Sequence, residues 1–146
     1  EEYDRQLDGH LRNVFNCVQV VLPHMMERRY GKIINMCSFA AYGVLPVIPA
    51  YSAAFGGILA YSKSVARFAA PYNINVNTVS PGNITTPMTA NWLGQPGARE
   101  NLAAQIPIGR IGEPEDVAAA YLFLASDRAR HLVGVDINVS GGQLIH

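Results

Sequence analysis

KIINMCSFAAYGVLPVIPAYSAAFGGILAYSKSVA, residues 32–66, carries the fold in three changes of pattern. Its first seven residues are short, apolar and rich in β-branched side chains, which predicts a buried strand over 32–38. GVLPVIPA (43–50) is punctuated by Pro46 and Pro49 and predicts a loop. From about Ala50 to Ala70 a helix is expected, dense in Ala, Ser and Gly, until Pro71 stops it. Those small residues predict close approach to a neighbouring helix or sheet.

The flanks extend the same alternation. Upstream, Leu11, Val14, Phe15, Val18, Val21, Leu22 and Met25 recur at helical spacing from Leu7 onward. That helix is expected to end near Arg28–Gly31, with basic residues in its last turn and a glycine beyond. Downstream, INVNTVS (74–80) alternates like a strand and runs into the loop PGNITTPM. A helical stretch over 87–105 is broken by Gly94, Pro96 and Gly97, and is expected to be mobile. GEPEDVAAAYLFLAS places Pro114 and acidic residues in a first helical turn. GVDINVSGG (134–142) predicts a last strand with a glycine exit. Helix–strand–helix–strand–helix–helix–strand is the order of a parallel α/β domain.

Bulk properties bound what this domain can be. At 146 residues, 49% hydrophobic and 15% charged, the chain suits one globular domain, 1–146, with a real core. Zero formal net charge and no basic cluster argue against nucleic acid or an acidic membrane as partner. Cys17 and Cys37 lack metal-ligand spacing and predict two buried, reduced thiols in a cytoplasmic protein, with no metal site. No apolar run reaches membrane-spanning length, and no signal peptide opens the chain. The sequence starts at Glu1-Glu2 without Met, directly on a helical pattern, so a cut piece of a longer chain is one expectation.

Four pieces together resemble the short-chain dehydrogenase/reductase family. Ser38 is followed thirteen residues later by Tyr51; SPGNITTPM follows a strand; PIGRIGEPEDVAAAYLFLAS and VDINVSGG close the chain. The resemblance spans nearly all of the sequence but only the second half of that family's fold. It implies the C-terminal half of a Rossmann-like, doubly wound parallel sheet, about three strands with flanking helices, completed by association. It also implies Tyr51 as general acid/base and Ser38 as hydrogen-bond partner of a substrate carbonyl or hydroxyl. Thr86 and Ile84, in the loop after the second strand, would touch a dinucleotide only if a dinucleotide-binding half exists. For Thr85 and Thr86 the plainer reading is helix capping ahead of Pro87.

The departures matter as much as the matches. One turn after Tyr51 the family carries Lys, which lowers the phenol's pKa and grips the nicotinamide ribose; here that position is Phe55. A phenol with its ordinary pKa of about 10 is ionised roughly one part in a thousand near pH 7, so the missing cation matters. Lys63 is no substitute, because twelve residues along a helix is about 18 Å. His10 stands where the family's relay Asn is expected, and Asn13 replaces a small residue. No glycine-rich strand-to-helix turn for a pyrophosphate occurs: Gly56-Gly57 falls inside a helix and Gly141-Gly142 follows the last strand.

The resulting expectation is a redox-impaired protein of this descent. His10, Ser38 and Tyr51 would carry proton transfer, of isomerase, dehydratase or cyclase type, on a carbonyl-containing small molecule. Phe55 and Trp92 are the substrate-pocket candidates, Phe55 walling or filling it, with Tyr42 and Tyr121 as weaker aromatics. No cofactor is expected for the chain as written; NAD(P) is implied if it is part of a longer protein. The alternatives are an NAD(P)-dependent ketone/alcohol oxidoreductase altered by mutation, and a non-catalytic subunit partnering an active homologue. An apolar strand edge at 32–38 also predicts a homo-oligomer or a hetero-oligomer with a homologue.

Overall fold

The computed structural model describes residues 1–145. The chain opens on a long helical rod: α1 (Glu2–Gln6), a π-helical stretch (Leu7–Arg12) and α2 (Asn13–Arg28). It therefore starts earlier than Leu7, where the apolar spacing begins, because polar residues extend a helix they do not bury. Arg29, in the left-handed region at φ 52, ends α2, and Gly31 instead opens the first strand. The expected glycine exit is thus taken by an arginine, whose carbonyl accepts from the Asn73 amide at 3.1 Å.

Three strands follow: β1 (Gly31–Met36), β2 (Ile74–Pro81) and β3 (Asp136–Val139), ordered β1-β2-β3 and all parallel. Gly31 pairs with Ile74 and Met36 with Val79, while Thr78 faces Asp136. Between β1 and β2 lie a 3₁₀ turn (Phe39–Tyr42) and α3 (Pro49–Ala69); α4 (Pro87–Leu93), α5 (Ala98–Gln105) and α6 (Pro114–Ala125) precede β3. The stretch 87–105 is indeed split near Gly94–Gly97, where Gly97 sits at φ 73.

INVNTVS forms the expected strand, and Ile74–Ser80 is buried throughout, its alternating polar residues included. Its polar residues survive burial because each finds a partner. Asn75 donates to the carbonyls of Arg130 and Leu132; Asn77 donates to Leu132 and accepts from the Val135 N–H. Thr78 and Ser80 donate to Asp136. One core cluster joins Val18 and Leu22 of α2 to Ile33, Ala66, Ile74 and Val76; another joins Val79 to Val117 and Leu124 of α6.

The small residues of α3 do what their size predicted. A Cβ at Gly57 would stand 2.8 Å from Leu11 Cδ2, so the glycine is what lets the π-helical stretch lie against α3. Cys37 is buried and free as expected; Cys17 is free but exposed, because it lies on the outer face of α2. The outer edge of β1 is unpaired among the described residues, and Met36 there is exposed. No described helix is long and apolar enough to cross a membrane.

Candidate active site

Ser38 sits two residues beyond β1, at the carboxyl end of the sheet where open α/β folds bind ligands. Its extended backbone caps the 3₁₀ turn, and its Oγ accepts from the Ala40 N–H at 3.2 Å. The residue is buried. Tyr51 lies in the first turn of α3, where Pro49 starts the helix. The Ser38 side chain lies close enough to the Tyr51 phenol to draw its pKa down, which puts the two residues at one end of the sheet.

Phe55, one turn later, is only 5% exposed and packs with Cys37 and Ile58, bordered by Leu11, Val14 and Tyr51. Its ring centroid is 4.5 Å from that of Tyr51 and 4.8 Å from that of His10. His10, on the π-helical stretch, meets Tyr51 edge-on at 5.3 Å and 81°. Three rings from two helices thus share one corner, and Phe55 fills it. Wide π turns recur at functional sites because they displace a side chain from the regular helical face.

The electrostatics follow from this packing. Burial pushes the Tyr51 phenol above its ordinary pKa, the nearby Ser38 hydroxyl pulls it down, and the neighbouring Cys37 adds to the rise. Burial wins, so Tyr51 is a neutral donor across the physiological range. Cys37, also pushed up by burial, remains a thiol and approaches the Phe55 carbonyl at 3.5 Å. Lys63 is exposed, farther along α3.

The remaining candidates are engaged elsewhere. Thr86 caps α4, its N–H donating to the Thr89 hydroxyl at 2.9 Å, which is the capping role expected of it. Ile84 packs on the Val79 cluster and borders a cleft of about 300 Å³ with Arg110, Asn138 and Ser140. Trp92 is half exposed on α4. Tyr121 donates to the Met36 sulfur at 3.5 Å, and Tyr42 to Asp136. Asp136 was not singled out from sequence; a lone acid in DINV carries no signal until β3 is placed beside Thr78.

Phe55 offers no hydrogen bond or charge to a ribose, and both glycine pairs stand where they were expected, outside any strand-to-helix turn. Among the described residues no His, Cys, Asp and Glu cluster could hold a metal ion.

Comparison with known proteins agrees with the geometry. Residues 1–143 match the family described as Enoyl-(Acyl carrier protein) reductase. The 3-oxoacyl-[acyl-carrier-protein] reductase FabG of Thermotoga maritima is 39% identical over 145 residues, 99% of this chain and 58% of the relative. FabG of Staphylococcus epidermidis is 39% identical over 142 residues, 97% of this chain and 57% of its own. The crystal structure of the TT0495 protein from Thermus thermophilus superposes with a TM-score of 0.89 at 33% identity, covering 99% of this chain and 61% of that one. The chain thus spans less than two thirds of the length of these relatives. With its Ser38–Tyr51 pair, its three parallel strands and these likenesses, the chain belongs to the short-chain dehydrogenase/reductase family.

Proposed function

We propose that the Ser38–Tyr51 pair binds the oxygen of a carbonyl-containing small molecule and that the chemistry it supports is proton transfer rather than hydride transfer. The observation that carries this is Phe55, buried against Tyr51 where a cation would otherwise lower the phenol's pKa and hold a ribose. Two hydroxyls donating to one oxygen stabilise charge that develops there, as in enolisation or loss of a β-hydroxyl. The His10 imidazole, edge-on to Tyr51, is the group available to accept a proton from the adjacent carbon. In an elimination that proton moves from Cα to His10, the Cα–H electron pair forms the double bond, and the β-hydroxide leaves as water with the proton that His10 has taken, while Ser38 and Tyr51 hold the carbonyl oxygen.

The names of the relatives support a β-oxygenated acyl thioester as substrate class. They also support a second reading, an NAD(P)-dependent reductase of such thioesters, in which residues outside 1–146 would hold the dinucleotide. A subunit that partners an active homologue fits the outer edge of β1, which is unpaired among the described residues. Dehydration of 3-hydroxybutanoyl-N-acetylcysteamine, followed by absorbance of the enoyl thioester, separates these. Turnover without nicotinamide that falls at least a hundredfold in Tyr51→Phe supports proton transfer. NADPH-dependent reduction of the 3-oxo analogue overturns it in favour of the reductase; no turnover of either thioester overturns it in favour of the subunit.

A further inference from the structure

Asp136 carries an unusual load for a half-buried carboxylate on a four-residue strand. Its Oδ1 accepts from Thr78 Oγ1 at 2.5 Å and from Ser80 Oγ at 2.9 Å, and its Oδ2 accepts from the Tyr42 hydroxyl at 2.8 Å. No cation pairs with it among the described residues. Three neutral donors compensate the desolvated charge. Two of them come from the adjacent strand, where Thr78 is the register partner of Asp136. The third comes from 94 residues away in sequence.

That third donor is the last residue of the turn Phe39–Tyr42, whose first backbone groups are capped by Ser38. The turn is therefore held at both ends. At one end Ser38 follows directly from β1; at the other, Tyr42 is tied across β2 to β3. Beyond Tyr42 the chain enters the loop 43–48, which has no regular structure to hold the turn from that side. Burial and the Asp136 carboxylate both push the Tyr42 phenol upward, so it keeps its proton and its bond well into alkaline solution.

We propose that Asp136 is a positioning residue for Ser38: through Tyr42 it fixes the turn that presents the serine hydroxyl to Tyr51. The inference rests on the reading of Ser38–Tyr51 as the functional pair. Asp136 touches no substrate in this arrangement; it acts through the turn.

The test is read on the phenols themselves. Protein carrying ¹³Cζ-tyrosine is titrated by NMR, with the Tyr51 resonance assigned through Tyr51→Phe. Ser38→Ala sets the upward pKa shift that losing the serine hydroxyl produces. Tyr42→Phe and Asp136→Asn are expected to move Tyr51 at least halfway toward that value. Both are expected to speed amide exchange at residues 39–43 at least tenfold while β1 and β2 amides stay protected. Thr78→Val, which removes a donor outside the turn, is expected to leave Tyr51 in place. An unmoved Tyr51 and unchanged exchange at 39–43 in Tyr42→Phe, with the sheet intact, overturn the proposal. If Ser38→Ala itself leaves Tyr51 unmoved, the functional pair fails instead, and exchange at 39–43 alone then decides whether Asp136 holds the turn. Should Asp136→Asn lose its sheet protection, Tyr42→Phe, which deletes one hydroxyl, carries the test.

Discussion

Replacing Phe55 by lysine tests the loss of the cation most directly. The phenyl ring is 5% exposed and wedged between Tyr51, His10, Ile58 and Cys37. Truncating such a ring to alanine costs about 3–5 kcal/mol, and the lysine methylenes recover part of that. The variant is expected to lose about 2–4 kcal/mol, a fall in Tm of roughly 5–15 °C for a domain of this size. In exchange, an ammonium comes within about 5 Å of the phenol oxygen. At an effective dielectric of about 20 this favours the phenolate by about 3 kcal/mol, near 2 pKa units, and desolvating the ammonium trims the gain. Tyr51 is therefore expected to titrate about 1–2 units lower in Phe55→Lys than in the native protein, read by ¹³Cζ-tyrosine NMR. Phe55→Met, with similar bulk and no charge, is expected to lower Tm without lowering the pKa. A folded Phe55→Lys variant in which Tyr51 moves by less than about 0.3 unit refutes the role given to the cation. Native Tyr51 titrating below the ordinary tyrosine value refutes it equally, since burial would then not dominate the site.

Two further outcomes test the surrounding fold. Asn77→Ala is expected to cost about 1–3 kcal/mol by chemical denaturation, because it leaves the Val135 N–H buried without a partner while the Leu132 carbonyl keeps the Asn75 amide; a change under about 0.5 kcal/mol means water replaces the lost amide. In alkali, burial raises the folded-state pKa of Tyr51, and that of Tyr121 to about 12, above the unfolded value near 10. The native state then holds protons the unfolded state has released. Stability is full below about pH 10 and falls as pH rises toward 12. The urea midpoint is expected to drop between about pH 9.5 and 11.5, as Tyr42, Tyr51, Tyr121 and Cys37 keep protons in the fold that the unfolded chain releases, and Tyr121→Phe is expected to flatten part of the decline. A midpoint that holds or rises across that window defeats the assignment.

The architecture was legible in sequence because its signals are local. Apolar spacing, Pro46, Pro49, Pro71 and Pro114 marked the element ends within a few residues, and alternating helices and strands left a parallel sheet as the natural arrangement. The Ser38…Tyr51 spacing was legible for the same reason, since a strand end, a loop and a helix start are all set by nearby residues. Burial was less legible. Asn75 and Asn77 lie inside the fold because the backbone of 130–135 solvates them there. Cys17 followed apolar spacing outward onto an exposed face because α2 is apolar on more than one side.

Ancestry, the order of elements and the loss of the cation at position 55 were determined by sequence, because each depends on residue identity and short-range spacing. Whether Phe55 would wall the pocket or fill it was a matter of packing, and the tertiary structure decided it: the ring lies between two others and closes the corner. The upward shift of Tyr51 likewise depends on what surrounds the phenol, not on its neighbours in the chain. Asp136 belongs wholly to the tertiary level. Its three donors come from Tyr42, Thr78 and Ser80, and only the folding of β3 against β2 brings a carboxylate to the place where all three can reach it.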